Sequence, residues 1–246
     1  MINGKKIMAV VPARGGSKGV HKKNIKPIMG IPIVGIAGKI LNLIDEIDYK
    51  IVSTDDNEIA SIANEYGLDS PFIRPKNLSG DRVGDIPVLE HALKWIIKEK
   101  KETIDVILMI QPTSPMRKIK HIRECLKKQI IGNYDSVITV SESDLKYHPF
   151  KQLIIENENL KWFDESIGDE IVSRQDLSPV YHKNGACYAI NSEFLINCDK
   201  QATPIGLNTS YIITESMISI DNEEDFIMTE NKIKKKYSSI EEYIQS

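Results

Sequence analysis

The sequence predicts an α/β fold, a single doubly wound and mostly parallel sheet with an inserted arm. Short apolar runs alternate with amphipathic stretches, which is typical of repeated βαβ units. At 246 residues the chain is long enough for one such domain with a full core. The alternation breaks only between about 141 and 182, where the chain turns polar. We therefore expect residues 1–246 to form one domain that carries an arm at about 141–182.

The first 130 residues alternate regularly between the two patterns. Apolar runs predict strands at 6–11, 49–53, 71–74 and 105–110. Amphipathic periodicity predicts helices at 33–44, 57–66, 86–100 and 119–129. Thr54 or Asp55 is expected to cap the second of these helices, because side chains of both types accept hydrogen bonds from free helix N–H groups.

The remainder contains three further predicted strands, at 136–140, 185–190 and 210–214. Helices are predicted at 192–197 and 223–236. Within the polar stretch, 152–155 and 160–163 flank a turn and predict a hairpin. A two-stranded hairpin is too small to be stable alone, so we expect it to project from the domain into a partner subunit.

Composition excludes several classes of function. The formal net charge of -3 argues against non-specific nucleic-acid binding, so we expect no nucleic-acid partner. Cys125, Cys187 and Cys198 lack metal-ligand spacing and fit reduced thiols. The apolar stretch 28–37 is too short to span a bilayer, and no targeting segment is visible. The expectation is a cytoplasmic protein without a membrane partner.

A glycine-rich basic loop follows the first predicted strand. It reads Pro12-Ala13-Arg14-Gly15-Gly16-Ser17-Lys18-Gly19 and continues with Lys22-Lys23-Asn24. Glycine lets backbone N–H groups approach an anion, and Arg14, Lys18 and Lys23 add positive charge. The alternative is an ordinary solvated basic loop. Phosphate binding is favoured because a strand leads into the loop and a helical segment follows it.

This loop resembles the CTP-binding loop of the acylneuraminate cytidylyltransferases, the CMP-sialic acid synthetases. Further matching segments follow in the expected order: Val52-Ser53-Thr54-Asp55-Asp56, Arg74-Pro75, His91-Ala92-Leu93, Gln111-Pro112-Thr113-Ser114-Pro115 and Asn184-Gly185-Ala186. The resemblance implies a Rossmann-like nucleotidyltransferase fold. It also implies transfer of CMP from CTP to the anomeric hydroxyl of a nonulosonic acid, N-acetylneuraminic or legionaminic acid, with release of pyrophosphate.

The resemblance also implies roles for individual residues. Nucleotide contacts are expected from Ala13, Arg14, Gly15, Gly16, Ser17, Lys18, Lys23, Asn24, Arg74 and Asp85. Sugar contacts are expected from Gln111 and Tyr188, and from Lys151 and Arg174 on an arm that a homodimer donates to the neighbouring site. An arginine can hold a carboxylate through two parallel hydrogen bonds, which suits an acidic sugar.

Arg14, Lys23 and Asp221 are the expected catalytic residues, with Asp221 as the Mg²⁺ ligand. The sialic acid enzymes typically carry Asp-Ile-Asp where this chain has Ser219-Ile220-Asp221. Mg²⁺ keeps several waters and takes ligands from substrate phosphates, so one carboxylate can suffice. The competing interpretation is that Asp221 caps the helix that follows.

Asp85 marks a second departure. The sialic acid enzymes tend to have serines at positions 84 and 85, whereas residues 81–88 of this chain are more similar to CMP-legionaminic acid synthetases.

Three other functions remain open. The first is a cytidylyltransferase for the octulosonic acid Kdo, which Gln111 disfavours because those enzymes have an aspartate after the central strand. The second is a glycosyltransferase using a nucleotide-sugar donor, in which Asp55-Asp56 would imitate the metal motif. The third is a catalytically weakened nucleotide-binding paralogue, suggested by Ser219.

Overall fold

The computed structural model describes residues 2–166, 170, 173–199 and 203–246, and the side chain of Arg174 lies outside that description. A six-stranded sheet forms its centre, in the spatial order β10-β6-β9-β5-β1-β4. These strands are β1 (Ile7–Pro12), β4 (Tyr49–Ser53), β5 (Val106–Met109), β6 (Ser136–Glu142), β9 (Tyr181–Asn191) and β10 (Thr209–Thr214). Two short antiparallel hairpins accompany the sheet: β2 (Pro27–Ile28) with β3 (Ile31–Pro32), and β7 (Leu153–Glu156) with β8 (Asn159–Trp162).

Both faces of the sheet are covered by helices. On one face α1 (Ile33–Asn42), α2 (Asn57–Glu65), α4 (Ile119–Gly132), α6 (Glu223–Lys234) and α7 (Ile240–Gln245) pack; on the other lie α3 (Asp85–Lys100) and α5 (Ser192–Ile196). Successive residues of β1 point to opposite faces: Ile7 and Ala9 pack on the side of α1, and Met8 and Val10 pack on the side of α3. A strand that is buried on both faces reads as a continuous apolar run, which is why β1 was predictable.

The mostly parallel sheet is confirmed. β1 pairs in parallel with β4 and β5, and β6 with β10. β9 lies between β5 and β6 and is antiparallel to both. It begins at Tyr181, four residues before the predicted strand. A register shift between Ile138 and Val140 of β6 accompanies this extension.

The predicted strand at 71–74 is wrong. Asp69 forms a single bridge with Ile51, and the following residues run without a ladder. Pro71 and Pro75 bracket the segment and cannot donate to one. The Arg74 amide instead donates to the carbonyl of Thr54 at 2.7 Å. This contact holds Arg74 at the end of β4.

The predicted cap of α2 is also wrong. Asp56 is the N-cap, and its carboxylate accepts from the amides of Glu58 at 2.8 Å and Ile59 at 3.2 Å. Helix α7 and the β2–β3 hairpin were not predicted. The arm hairpin was, and β7–β8 confirms it within a residue at each end. Among the described helices, none combines the length and apolar character needed to cross a membrane.

Candidate active site

A crevice of about 410 Å³ opens beyond the carboxyl ends of β1 and β5, where ligands bind in sheets of this type. The loop after β1, the segment after β5 and the start of α3 form its walls. Of the predicted site residues, those that line it are Arg14, Ser17, Lys18, Lys23, Asn24, Arg74, Asp85, Gln111 and Asp221.

The loop after β1 is anchored on the end of β4. The Ala13 amide donates to the carbonyl of Ser53, and the Gly15 amide to Oδ1 of Asp55, both at 2.9 Å. Ala13 is buried beneath the loop, Gly15 donates its N–H internally, and Gly16 is exposed. These three predicted nucleotide contacts therefore lie outside the crevice lining.

Asp81 occupies the space between two of the cations. Its carboxylate pairs with the guanidinium of Arg14 and the ammonium of Lys18, and it lines the crevice. Hydrogen bonds from Lys18 and then Arg14 hold the pKa of Asp81 below its usual range. Sequence reasoning missed this residue because ion pairing across 67 residues leaves no local pattern. Arg14 and Lys18 thus already hold an anionic group.

Lys23 faces the opposite wall. Its Nζ donates to the carbonyl of Ile220 at 2.8 Å and lies 3.5 Å from Oδ1 of Asp221. The Lys23 side chain is 13% exposed, whereas that of Asp221 is 78% exposed. Only glycine fits at position 19, since a Cβ there would lie 2.3 Å from the carbonyl oxygen of Asp221. The two segments therefore pack backbone to backbone.

Arg74 is buried but incompletely bonded. It is 4% exposed, and within the described residues its Nε has no hydrogen-bond partner. Burial lowers the pKa of Arg74, which the nearby carboxylate of Asp55 partly offsets from 4.0 Å. Because buried polar groups are normally paired, an unmet donor in the crevice wall suits a ligand acceptor.

Gln111 also lines the crevice, and its side chain faces a glycine of β9. Gly185 has a φ of +68°, and a Cβ there would lie 2.2 Å from Oε1 of Gln111. Tyr188, on the same strand, is buried behind the lining. Burial raises the pKa of Tyr188, and burial likewise raises that of Asp85.

The sequence model of one family, described as Cytidylyltransferase, matches residues 8–240. The chain belongs to the cytidylyltransferase family. It is therefore a nucleotidyltransferase, and the glycosyltransferase alternative is wrong.

Several relatives are similar to this cytidylyltransferase over most of its length. Pseudaminic acid cytidylyltransferase of Campylobacter jejuni subsp. jejuni serotype O:2 is 31% identical over 188 residues, covering 74% of this chain and 77% of that protein. CMP-N,N'-diacetyllegionaminic acid synthase of Legionella pneumophila subsp. pneumophila is 31% identical over 234 residues, covering 92% of this chain and 95% of that protein. A solved structure of CMP:2-keto-3-deoxy-manno-octonic acid synthetase complexed with CTP aligns with a TM-score of 0.69. At 14% identity, covering 95% of this chain and all of that one, it shows the fold alone.

The two carboxylates considered as a metal motif of a glycosyltransferase have other uses in the cytidylyltransferase. Asp56 caps α2, and Asp55 accepts the Gly15 amide and faces Arg74. Neither residue lines the crevice.

Asp221 is the crevice carboxylate best suited to a cation. It does not cap α6, because Asn222 is the N-cap and accepts from the amide of Asp225 at 3.0 Å. No cluster of three His, Cys, Asp or Glu residues suited to a metal occurs within the described ranges. A single exposed carboxylate still fits Mg²⁺, which is commonly bound by one or two carboxylates, waters and substrate phosphates.

The two predicted arm contacts lie in short 3₁₀ turns of the arm. Lys151 ends a 3₁₀ turn, Pro149–Lys151, and is absent from the lining. The backbone of Arg174 begins a second such turn, Arg174–Asp176, but its side chain lies outside the described part. Their expected contacts with the sugar stay predictions.

Proposed function

We propose that this cytidylyltransferase transfers CMP from CTP to the anomeric hydroxyl of a nonulosonic acid and releases pyrophosphate. One observation carries the proposal: the same crevice is lined by three cations of the loop after β1, Arg14, Lys18 and Lys23, and by the amide side chain of Gln111. The relatives named for pseudaminic and legionaminic acid support this class of sugar.

The reaction asks the protein mainly for positioning and charge neutralisation. The anomeric oxygen forms a bond to the α-phosphorus as the bond from that phosphorus to the bridging oxygen of pyrophosphate breaks. Arg14 and Lys18 exchange the carboxylate of Asp81 for phosphate oxygens. Lys23 stabilises the charge that accumulates on the leaving group, and Gln111 orients the sugar.

Asp221 would hold Mg²⁺ at the edge of the crevice, beside Lys23. Bound there, the cation would neutralise phosphate charge and orient the triphosphate. The contacts of Lys23 with the Ile220 carbonyl and the Asp221 carboxylate keep its ammonium close to the same phosphates. Ser219, in place of the family's first aspartate, leaves Asp221 as the proposed ligand.

We also propose a homodimer in which each arm, at about 141–182, reaches the neighbouring site with Lys151 and Arg174. The hairpin supports this, because Ile155 and Leu160 are 78% and 65% exposed and form an apolar surface. A cytoplasmic location fits the three free cysteines and the supply of CTP.

The decisive experiment follows pyrophosphate release by purified protein given CTP and Mg²⁺. Pseudaminic acid, N,N'-diacetyllegionaminic acid, N-acetylneuraminic acid and Kdo are supplied in separate reactions. Turnover of a nonulosonic acid, with none of Kdo, is the expected result. Turnover of Kdo alone would overturn the proposed sugar class, and CTP binding without turnover of any of the four would support the weakened paralogue.

Asp81→Asn is expected to tighten CTP binding by about two- to fivefold, since exposed ion pairs are weak individually and this one must break. Calorimetry with CTP and with inorganic pyrophosphate would measure the gain. Glu65→Gln removes an equal charge from the exposed end of α2 and is expected to change neither affinity. Weaker binding by Asp81→Asn would mean that Asp81 assists the triphosphate rather than competing with it.

A double substitution, Ile155→Glu with Leu160→Glu, is expected to convert the dimer into a monomer that has lost most of its activity. The substitution places two charges on the apolar surface of the hairpin, where docking would have to desolvate them. Light scattering measures the mass. Ile227→Glu, at a 62% exposed position of α6, is the control and should remain dimeric. A monomeric wild type would refute the arm proposal.

A further inference from the structure

Arg117 is the largest fully buried side chain among the described residues. Burying a guanidinium without a counter-ion is costly, and burial lowers its pKa to about 10. Within the described residues it forms no ion pair. Its Nε donates to the carbonyl of Ala186 at 2.8 Å, and one terminal nitrogen donates to the carbonyl of Gln111. The charged guanidinium therefore donates to two backbone carbonyl oxygens.

Those two carbonyls belong to the segments that carry Gln111 and the glycine opposite its side chain. Gln111 follows β5, while Ala186 lies in β9 beside Gly185, the residue that faces the Gln111 side chain. The space between Gln111 and Gly185 is narrow, since even a methyl group there would overlap the amide oxygen. A second tie joins the same segments, from Oγ of Ser114 to the carbonyl of Asn184 at 2.7 Å.

We propose that Arg117 is a positioning residue for the sugar substrate: by bridging the carbonyls of Gln111 and Ala186 it fixes the Gln111 amide against β9 and thereby sets which nonulosonic acids fit. The inference rests on the proposed function, because it assigns the sugar to Gln111. A charged donor is suited to this task, as its hydrogen bonds are stronger than neutral ones. Small displacements of a substrate-orienting group have large kinetic effects.

The proposed nucleotide contact Lys23 provides the internal control. The carbonyl of Thr113 accepts the Ile220 amide at 2.8 Å, and Ile220 in turn holds Lys23. If loss of Arg117 merely loosened the whole segment, the disturbance would reach Lys23 and weaken CTP binding as well. If Arg117 acts on Gln111, CTP affinity stays unchanged while sugar recognition suffers.

The test compares Arg117→Lys and Arg117→Met with the wild type in melting temperature, CTP affinity by calorimetry, and kinetics with each sugar. We expect the sugar KM to rise about ten- to a hundredfold in Arg117→Met, with preferences among nonulosonic acids flattened and CTP affinity unchanged. Arg117→Lys keeps one charged donor and should recover part of the loss. Ser114→Ala, a milder change, should shift the sugar KM in the same direction by less.

Gln129→Met is the matched control. Gln129 is also buried and donates to a backbone carbonyl, that of Tyr134, at 2.9 Å, but at the far end of α4. It should lower the melting temperature without altering sugar kinetics. Parallel losses of CTP affinity and sugar recognition in the Arg117 and Ser114 variants, or wild-type sugar kinetics in them, would overturn the inference. Failure of the proposed function is distinguished by the wild type alone, which would then use no nonulosonic acid.

Discussion

Lys23→Ala is expected to lower kcat by on the order of a hundredfold to a thousandfold, the range found when one preorganised donor to developing charge is removed. Lys23 is the least exposed of the three crevice cations that lie on the loop after β1. Because its ammonium is held between the Ile220 carbonyl and Asp221, it would already be in place when charge develops on pyrophosphate in the proposed reaction. Steady-state kinetics of pyrophosphate release, with CTP varied, would measure the loss.

Lys22→Ala is the control for that experiment. Lys22 precedes Lys23 directly but turns away and pairs with Glu58 at 2.5 Å. The substitution removes one positive charge, as Lys23→Ala does, and should leave kcat close to that of the wild type. Melting temperatures of both variants would show whether loss of the partly buried Lys23 side chain also lowers stability. Wild-type turnover in Lys23→Ala would show that Lys23 does not act on the triphosphate.

Asp221→Ala is expected to raise the Mg²⁺ concentration needed for half-maximal rate by on the order of tenfold or more, because Asp221 is the proposed protein ligand and substrate phosphates supply the rest. Initial rates would be titrated with Mg²⁺ at fixed CTP. Calorimetry of CTP with and without Mg²⁺ gives a second readout that does not depend on turnover.

Glu224→Ala, in the first turn of α6 and exposed, removes a neighbouring carboxylate and should leave the Mg²⁺ titration unchanged. The same unchanged titration in Asp221→Ala would mean that another group holds the cation. A gain in CTP affinity without Mg²⁺ is expected in Asp221→Ala, since one negative charge beside the phosphates is removed.

The apolar strands and the hairpin were predictable because their signals are local. A strand that is buried on both faces, such as β1, must be apolar at every position, and β7–β8 has a turn sequence between two runs. The strand predicted at 71–74 failed for an equally local reason, as two prolines flank a short apolar run. Its hydrophobic character is real, but it cannot form a ladder.

The contacts that shape the crevice depend instead on long-range pairing. Asp55 holds an amide 40 residues away, Asp81 pairs with cations on the first loop, and Arg117 reaches a carbonyl 69 residues further along. Nothing in the spacing of these residues marks them, because each is set by the tertiary arrangement of loops. Resemblance to a family identified nine of the residues that line the crevice, but it identified neither Asp81 in the lining nor Arg117 behind it.

Strand β9 has a mechanical consequence. It is one continuous strand of 11 residues, with Tyr181 paired to Glu142 at its outer end and Gly185 and Tyr188 near the crevice. Its outer residues 181–183 pair with β6 alone, whereas Tyr188 and Ile190 pair with both β5 and β6, so a displacement of the outer end would reach Gly185 and Tyr188 along the backbone of the same strand. Since the arm joins the domain at that end, pressure from a docked neighbour would be transmitted to the wall opposite Gln111. In the proposed dimer, assembly and sugar recognition would then be coupled through β9.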